Sequence, residues 1–305
     1  MTVHRFYQLD VFTRTPLAGN PLAVFPEAAG LSVETMQALA REMNLSETTF
    51  VTASSTATKR VRFFTPTAEL PLAGHPTIGT WWLLAEQKLI NLPGSGTTRV
   101  TQETGAGLLP VDIEMREGRP VRVTMTQTLP QFGDGVAELA KLGRALGGDG
   151  RTVLKKPQPQ VVSTAVPQLM VPVKSLAVLR ALPSGGAGAA LAGLLRKHGT
   201  DCAMCYTLET ESKDATVHCR MFAPGLGVAE DPATGSASGA LGCYLVWHGV
   251  VRPRDGGARI MVEQGLEIGR PSLIRVEVDV GNGGEVTEVR VGGEAVTVIE
   301  GEVRL

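Results

Sequence analysis

One short stretch occurs twice in this chain, once in each half, and that duplication limits the possible folds more than any overall property does. The copies run from Leu72 to Trp82 and from Ala229 to Tyr244. In the first, Phe64, Thr65 and Pro66 lead into Gly74, His75, Pro76, Thr77, Ile78 and Gly79. In the second, Phe222, Ala223 and Pro224 lead into Glu230, Asp231, Pro232, Ala233, Thr234 and Gly235. Each copy ends in an apolar helix. Pro76 and Pro232 stand where a first helical position tolerates proline, and His75 and Asp231 just before them are the expected N-caps. The small residues that follow leave backbone N–H groups open to a ligand, so the pattern predicts two anion sites that face each other.

A chain of 305 residues holds two domains of about 150 residues, each with its own core. The expected division is 1–128 and 129–305, with the last strand free to return to the first domain. With 29 basic and 30 acidic residues the net charge is −1, which offers no electrostatic footprint for nucleic acid or for an anionic membrane. A small molecule is the expected partner. No apolar run reaches the roughly 18 to 20 residues of a membrane span, and the first residues, Met1 to Phe6, lack the apolar centre of a signal peptide, so a cytoplasmic location is expected. The 4 cysteines, Cys202, Cys205, Cys219 and Cys243, are too sparse for a disulfide framework and are expected to be reduced thiols.

Tyr7 to Phe12 and Leu22 to Phe25 read as strands around the turn-rich Pro16 to Pro21. After Ser32 as N-cap, Val33, Met36, Leu39, Ala40 and Met43 recur at helical spacing. Thr48 to Val51 and Arg60 to Phe64 read as strands, and His75 to Lys88 as a helix that is apolar nearly all round. Such a helix is enclosed, so strands are expected to wrap it, supplied by Gln102, Leu108 to Glu114 and Val121 to Thr126. Between about 129 and 160 the composition turns to Gly, Pro and Lys, which marks the boundary. Beyond it the pattern gives strands at Leu169 to Val173, Ala203 to Leu208 and Thr216 to Phe222, a helix at Ala187 to His198, and a second central helix at Pro232 to His248. Strands at Ile260 to Glu263, Leu273 to Val280, Val286 to Val291 and Val296 to Glu300 complete an α+β chain with no regular βαβ alternation.

Several segments together carry a family resemblance: Asp10, Val11 and Phe12; Gly19 to Val24; Asn44 to Thr48; the Gly74 and Asp231 segments; and Gln264, Gly265, Gly269, Arg270, Pro271 and Ser272. The chain resembles the PhzF-like family of phenazine biosynthesis over nearly its whole length. The resemblance implies a diaminopimelate-epimerase-like fold of two similar domains, each a curved, mostly antiparallel sheet or barrel around one helix, with the active site in the cleft between them. It also implies a homodimer, and no heptads or charge blocks argue otherwise. Racemases of that wider fold place a cysteine at each central helix start. Here His75 and Asp231 stand there, and Cys243 lies about three turns inside the second helix, so two-thiol racemisation is chemically closed to this chain.

By the same resemblance Glu47 is the general acid and base, moving a proton on a small carboxylate substrate with no cofactor or metal. A carboxyl with an ordinary pKa near 4.3 is a weak base in water, so burial or a neighbouring charge such as Asp231 has to raise it. On residues alone, the commoner role for a glutamate at the place of Glu47 is to cap a turn or pair with an arginine. His75 orients Glu47, donates to a developing enolate, or caps its helix. Asp231 caps its helix or holds a polar substituent of the substrate, and Ser236 resembles a family active-site serine. Asn20, Gly74, Thr77, Ile78, Thr234 and Gly235 complete the expected substrate site, with backbone N–H groups around Thr77, Ile78, Thr234, Gly235 and Ser236 receiving negative charge.

Three weaker signals read as structural. Cys202 and Cys205 have CxxC spacing but open a strand with no second pair. Gly186 and Gly188 begin a dinucleotide fingerprint that Leu191 breaks, and Pro183 with Ser184 reads as a helix start. Ser236 and Ser238 are not centred as a nucleophile elbow requires. The expected activity is isomerisation of a small carboxylic acid, with trans-2,3-dihydro-3-hydroxyanthranilate as the family's reference substrate. The alternatives are a cysteine-independent racemase or epimerase using Glu47 with His75 or Asp231, and a silent metabolite-binding protein.

Overall fold

The computed structural model describes residues 2–305 and shows an α+β chain of two compact units, one formed by residues 2–126 with 292–305 and the other by 127–291. Among the described residues no helix is long and apolar enough to cross a membrane.

In the first unit β1 (Val3–Val11) pairs antiparallel with β2 (Asn20–Phe25), and β2 runs parallel to β3 (Glu47–Thr52) after the crossover helix α1 (Val33–Met43). β4 (Lys59–Phe64) pairs antiparallel with β3 and with the short β5 (Glu69–Leu70), then parallel with β6 (Gly96–Thr104), which continues antiparallel into β7 (Gly107–Arg116) and β8 (Arg119–Gln127). Between β5 and β6 the chain forms the central helix α2 (Gly74–Glu86). Ser32 caps α1 as its sequence predicts, accepting from the Thr35 N–H at 3.2 Å. The apolar face of α1 packs Met36, Leu39 and Ala40 against Phe25, Phe50 and Phe64.

α2 is buried along its length, and Ile78, Trp81, Leu83 and Leu84 have no exposed surface. Each such side chain is worth about 1.5–3 kcal/mol of burial. The indole N–H of Trp81 donates to Gln102 Oε1 on β6 at 2.9 Å, so the ring's one polar atom is satisfied inside the core. Gly79 allows the helix to lie close on the sheet, because a Cβ there would come within 2.6 Å of Leu22 and 2.7 Å of Val11.

The second unit repeats the scheme. β9 (Gln131–Gly135) pairs with β10 (Gln160–Ser163), and β10 pairs antiparallel with β11 (Pro167–Pro172). β11 runs parallel to β12 (Ala203–Thr207), and β13 (Val217–Ala223) pairs antiparallel with β12 and β14 (Val228–Asp231) and parallel with β15 (Gly257–Gln264). β15 continues antiparallel into β16 (Ser272–Val280), and β17 (Val286–Gly293) follows. Here α3 (Leu139–Ala145), α4 (Leu176–Ala181) and α5 (Ala189–Lys197) share an apolar cluster with the sheet, and the buried α6 (Gly235–Trp247) fills the place of α2. The chain then returns with β18 (Ala295–Arg304), antiparallel to β1 of the first unit.

The structure shows elements the sequence pattern did not reveal. The Gly/Pro-rich stretch read as a boundary contains β9, α3 and the start of β10, with Leu142 and Leu146 fully buried. α5 starts at Ala189, not near Ser184, and its N-cap is Gly188 at a left-handed φ of 53°. Ser184 donates its hydroxyl to Glu230 instead.

Candidate functional site

In the first unit Glu47 is the opening residue of β3, in register with Leu22 of β2. Glu47 and Thr49 alternate to the same face of the strand, and Thr49 meets Thr80 of α2, hydroxyl to hydroxyl, at 2.9 Å. His75 is the second residue of α2, and its Nε2 lies 3.5 Å from Glu47 Oε2, with the two side chains 8% and 18% exposed. Burial pushes the imidazole down to about 3, against a hydrogen bond with the Pro21 backbone that favours the charged form. Proline has no N–H, so its carbonyl is the acceptor. Since Nε2 itself makes no hydrogen bond, the donor is Nδ1. The positive end of α2 also disfavours an imidazolium. His75 is therefore neutral and presents a bare Nε2 to Glu47.

Asn20 lies immediately before Pro21, opposite Val11 and without exposed surface. The structure thus brings Glu47, His75 and the Asn20–Pro21 step together, next to Gly74 at the start of α2. Thr77 and Ile78 do not join them. The Thr77 N–H and hydroxyl both bond the Ala73 carbonyl, at 3.4 Å and 2.8 Å, and Ile78 is buried in the core.

In the second unit Asp231 ends β14, and its carboxylate accepts the Thr234 hydroxyl. Thr234 is the N-cap of α6 yet makes no side-chain cap bond, so Gly235 and Ser236 are the first two helical residues. Gln127 Nε2 donates to the Gly235 carbonyl at 3.1 Å, and the Thr164 hydroxyl reaches the Ser236 carbonyl at 3.4 Å. Behind the turn, Glu230 takes two bonds from Arg220, at 2.8 Å and 2.6 Å, both side chains being only 2% exposed. A third Arg220 nitrogen donates to the carbonyls of Leu179 and Leu182, at 3.1 Å and 2.5 Å, closing the end of α4.

Both expected N-caps are corrected by this geometry. α2 starts at Gly74 with Ala73 as N-cap, one residue before His75, and α6 starts at Gly235, three residues after Pro232. A first-turn helix N–H is uncommitted only at the earliest positions. Thr77 and Ile78 stand too late to supply one, and the Thr234 N–H donates to Gln264 Oε1 at 3.2 Å. Gly235 and Ser236 do occupy first-turn positions. The strand order also re-registers the two copies: β5 and β14 are matched strands, each followed by three residues before its helix. Pro71, not Pro76, is the counterpart of Pro232, Leu70 is the counterpart of Asp231, and His75 is the counterpart of Ser236.

Sequence reasoning gave no bonding role to the side chains of Arg220, Glu230, Gln102 and Gln264. For Arg220 the available signal was a charged residue among the apolar positions of β13, which is tolerated only when its groups are satisfied. His218 is a similar case: its two ring nitrogens lie 2.7 Å and 2.8 Å from Glu263 and Glu267. Burial pulls its pKa down, but those two carboxylates outweigh burial and raise it. Glu263 also accepts the N–H groups of Glu211 and Ser212, so this cluster pins a loop. The 4 cysteines are buried, and desolvation pushes Cys202, Cys205 and Cys243 up to about 12, which makes them inert.

A family profile described as phenazine biosynthesis-like protein matches residues 9–301. The chain is 37% identical over 99% of its length to an uncharacterized isomerase from Clostridium acetobutylicum, covering 98% of that protein. It is 35% identical, again over 99% of its length, to the trans-2,3-dihydro-3-hydroxyanthranilate isomerase of Pseudomonas aeruginosa, covering 100% of that enzyme. Its fold is similar to the crystal structure of a PhzF-family phenazine biosynthesis protein from Bacillus anthracis, with a TM-score of 0.91, 32% identity and 100% of both chains covered.

Proposed function

Because this chain belongs to the phenazine biosynthesis-like family and is an isomerase of the PhzF type, we propose that it moves a hydrogen between two carbons of a small carboxylic acid, without a cofactor, using Glu47 as the proton carrier. The observation that carries this reading is the bare Nε2 of a neutral His75 at 3.5 Å from the Glu47 carboxyl. A neutral acceptor there favours the protonated acid, the form Glu47 takes after removing a proton from carbon.

In this reading the ionised Glu47 takes a proton from a carbon made acidic by neighbouring unsaturation. The electron pair of the broken C–H bond spreads into the substrate's π system, and Glu47 returns the same proton to another carbon. No atom is gained or lost. His75 holds the acid form in the interval through Nε2, and the Pro21 carbonyl keeps the imidazole in the tautomer that can do so. Asp231 holds a polar substituent of the substrate, with Ser236 beside the start of α6. Asn20, Gly74, Gly235 and the first-turn N–H groups contribute to binding the acid, which carries negative charge. The substrate of the Pseudomonas aeruginosa relative, trans-2,3-dihydro-3-hydroxyanthranilate, is the first acid to assay.

Glu47→Gln keeps the shape of the side chain and removes its capacity to carry a proton. Turnover of that acid, followed by NMR in deuterated buffer, is expected to fall about 100- to 10,000-fold while the backbone amide spectrum stays that of the parent. Retention of full turnover by Glu47→Gln would end the assignment.

A further inference from the structure

The segment Gln264 to Ser272 was singled out in the sequence, yet the proton-transfer reading gives it no task. Gln264 ends β15 and is completely buried. Its amide makes three contacts with one turn: Oε1 accepts the Thr234 N–H at 3.2 Å, and Nε2 donates to the Asp231 backbone carbonyl at 2.7 Å and to Thr234 Oγ1 at 3.0 Å. The amide orientation is unambiguous, because a backbone N–H only donates and a backbone carbonyl only accepts.

These contacts decide where the Thr234 proton goes. With Gln264 donating to Oγ1, the hydroxyl hydrogen points elsewhere, and it points to Asp231 Oδ2. A threonine at an N-cap ordinarily turns its oxygen to an N–H of the first turn, which is worth about 1 kcal/mol. Thr234 makes no such bond. The rest of the segment is shaped around the same turn. Ser272 Oγ lies 3.0 Å from the Gln264 carbonyl and 3.2 Å from the Pro232 carbonyl. Gly265 has a φ of 81°, and a Cβ there would run into the carbonyl oxygens of Arg270 and Pro232.

We propose that Gln264 is a positioning residue for Asp231: its amide turns Thr234 away from capping α6 and onto the Asp231 carboxylate, which helps to orient that carboxylate and leaves the helix start without a cap from Thr234. The proposal rests on the reading that Asp231 holds the substrate. Without the amide, the Thr234 hydroxyl is free to rotate to the first-turn N–H groups, and Asp231 loses that one donor.

The direct readout is the titration of the Asp231 carboxyl, followed by carbon NMR in the full-length chain. A hydroxyl that donates to a carboxylate favours the ionised form, so losing it moves the titration upward. Gln264→Met, close in length and volume, is expected to raise the Asp231 midpoint by about one pH unit, as is Thr234→Val, and the double variant no further. Thr234→Ser, which retains the hydroxyl, restores the parent midpoint. Gln264→Ala, which leaves room for water, serves where Gln264→Met does not fold. An unchanged midpoint in the folded Gln264 variant, or shifts that add in the double variant, would overturn the proposal. In parallel, kcat/KM for trans-2,3-dihydro-3-hydroxyanthranilate is expected to drop about tenfold in each single variant and by the same factor in the double. If the parent chain leaves that acid unchanged, the functional reading is what fails, and the titration still decides the role of Gln264.

Discussion

The two units share one strand order and differ in where they keep their polar groups. In the first, a carboxylate opens the strand after the crossover helix, and a neutral imidazole sits inside the first turn of the central helix. In the second, the matching strand position is Ala203, in register with Leu169 as Glu47 is with Leu22, and the carboxylate has moved to Asp231, where the first unit has Leu70. The helix starts are secured differently too. Neutral groups hold α2: His75, Thr77 and Gln102. An ion pair, Arg220 with Glu230, backs the turn before α6. Duplication therefore conserves the frame that buries a helix, while polar residues at matched points are free to diverge, because each needs only its own local partners.

If charge secures the second start, breaking the pair has the largest effect. Arg220→Met leaves Glu230 buried and unpaired and is expected to cost about 3–5 kcal/mol in urea unfolding, most of which Glu230→Gln in the same chain restores. A single variant as stable as the parent would remove the distinction between the two starts.

The first start is expected to respond to acid. His75 has a folded pKa of about 3, below the ordinary value of 6.5, so between those values the unfolded chain binds the extra proton. Stability is full above about pH 6.5 and is lost as pH falls toward 3, by roughly 2–3 kcal/mol between pH 7 and pH 4.5. Comparing urea midpoints at those two pH values, His75→Gln should flatten the dependence. An identical slope would mean that His75 is not the group being protonated.

The smallest effect tests what the two starts share. Thr77 returns its hydroxyl to the Ala73 carbonyl at 2.8 Å, and Ser238 returns its own to the Thr234 carbonyl at 2.9 Å, the same position in each helix. Thr77→Val and Ser238→Ala are each expected to cost about 1 kcal/mol. Thr77→Val should cost the more, because Gln102 Nε2, at 3.5 Å, also loses its acceptor. Unequal costs in the opposite order would show that the two turns are not equivalent.

The enclosed helices were legible in the sequence because a helix apolar on every side has no stable surface position, and the strands beside them were legible from alternation and β-branched runs. Ser32 was legible because capping is local chemistry. The helix starts were not. Pro76 and Pro232 look equivalent in sequence, but equivalence is set by strand pairing, which gives that place to Pro71. α3 and α4 were hidden for a related reason: helices of 7 and 6 residues are too short to hold by propensity and exist because Leu142 and Leu179 are buried. At the site, Glu47 and His75 stood out as residue types, whereas the tautomer of His75 and the reach of Gln264 depend on carbonyls far away in the chain.

All four cysteines lie in the second unit, fully sequestered and reluctant to ionise. An alkylating reagent therefore has nothing to react with until that unit opens. Pulse labelling of the unmodified protein would time the unfolding of one half while remaining blind to the other, so the chain carries its own half-specific reporter without an engineered probe.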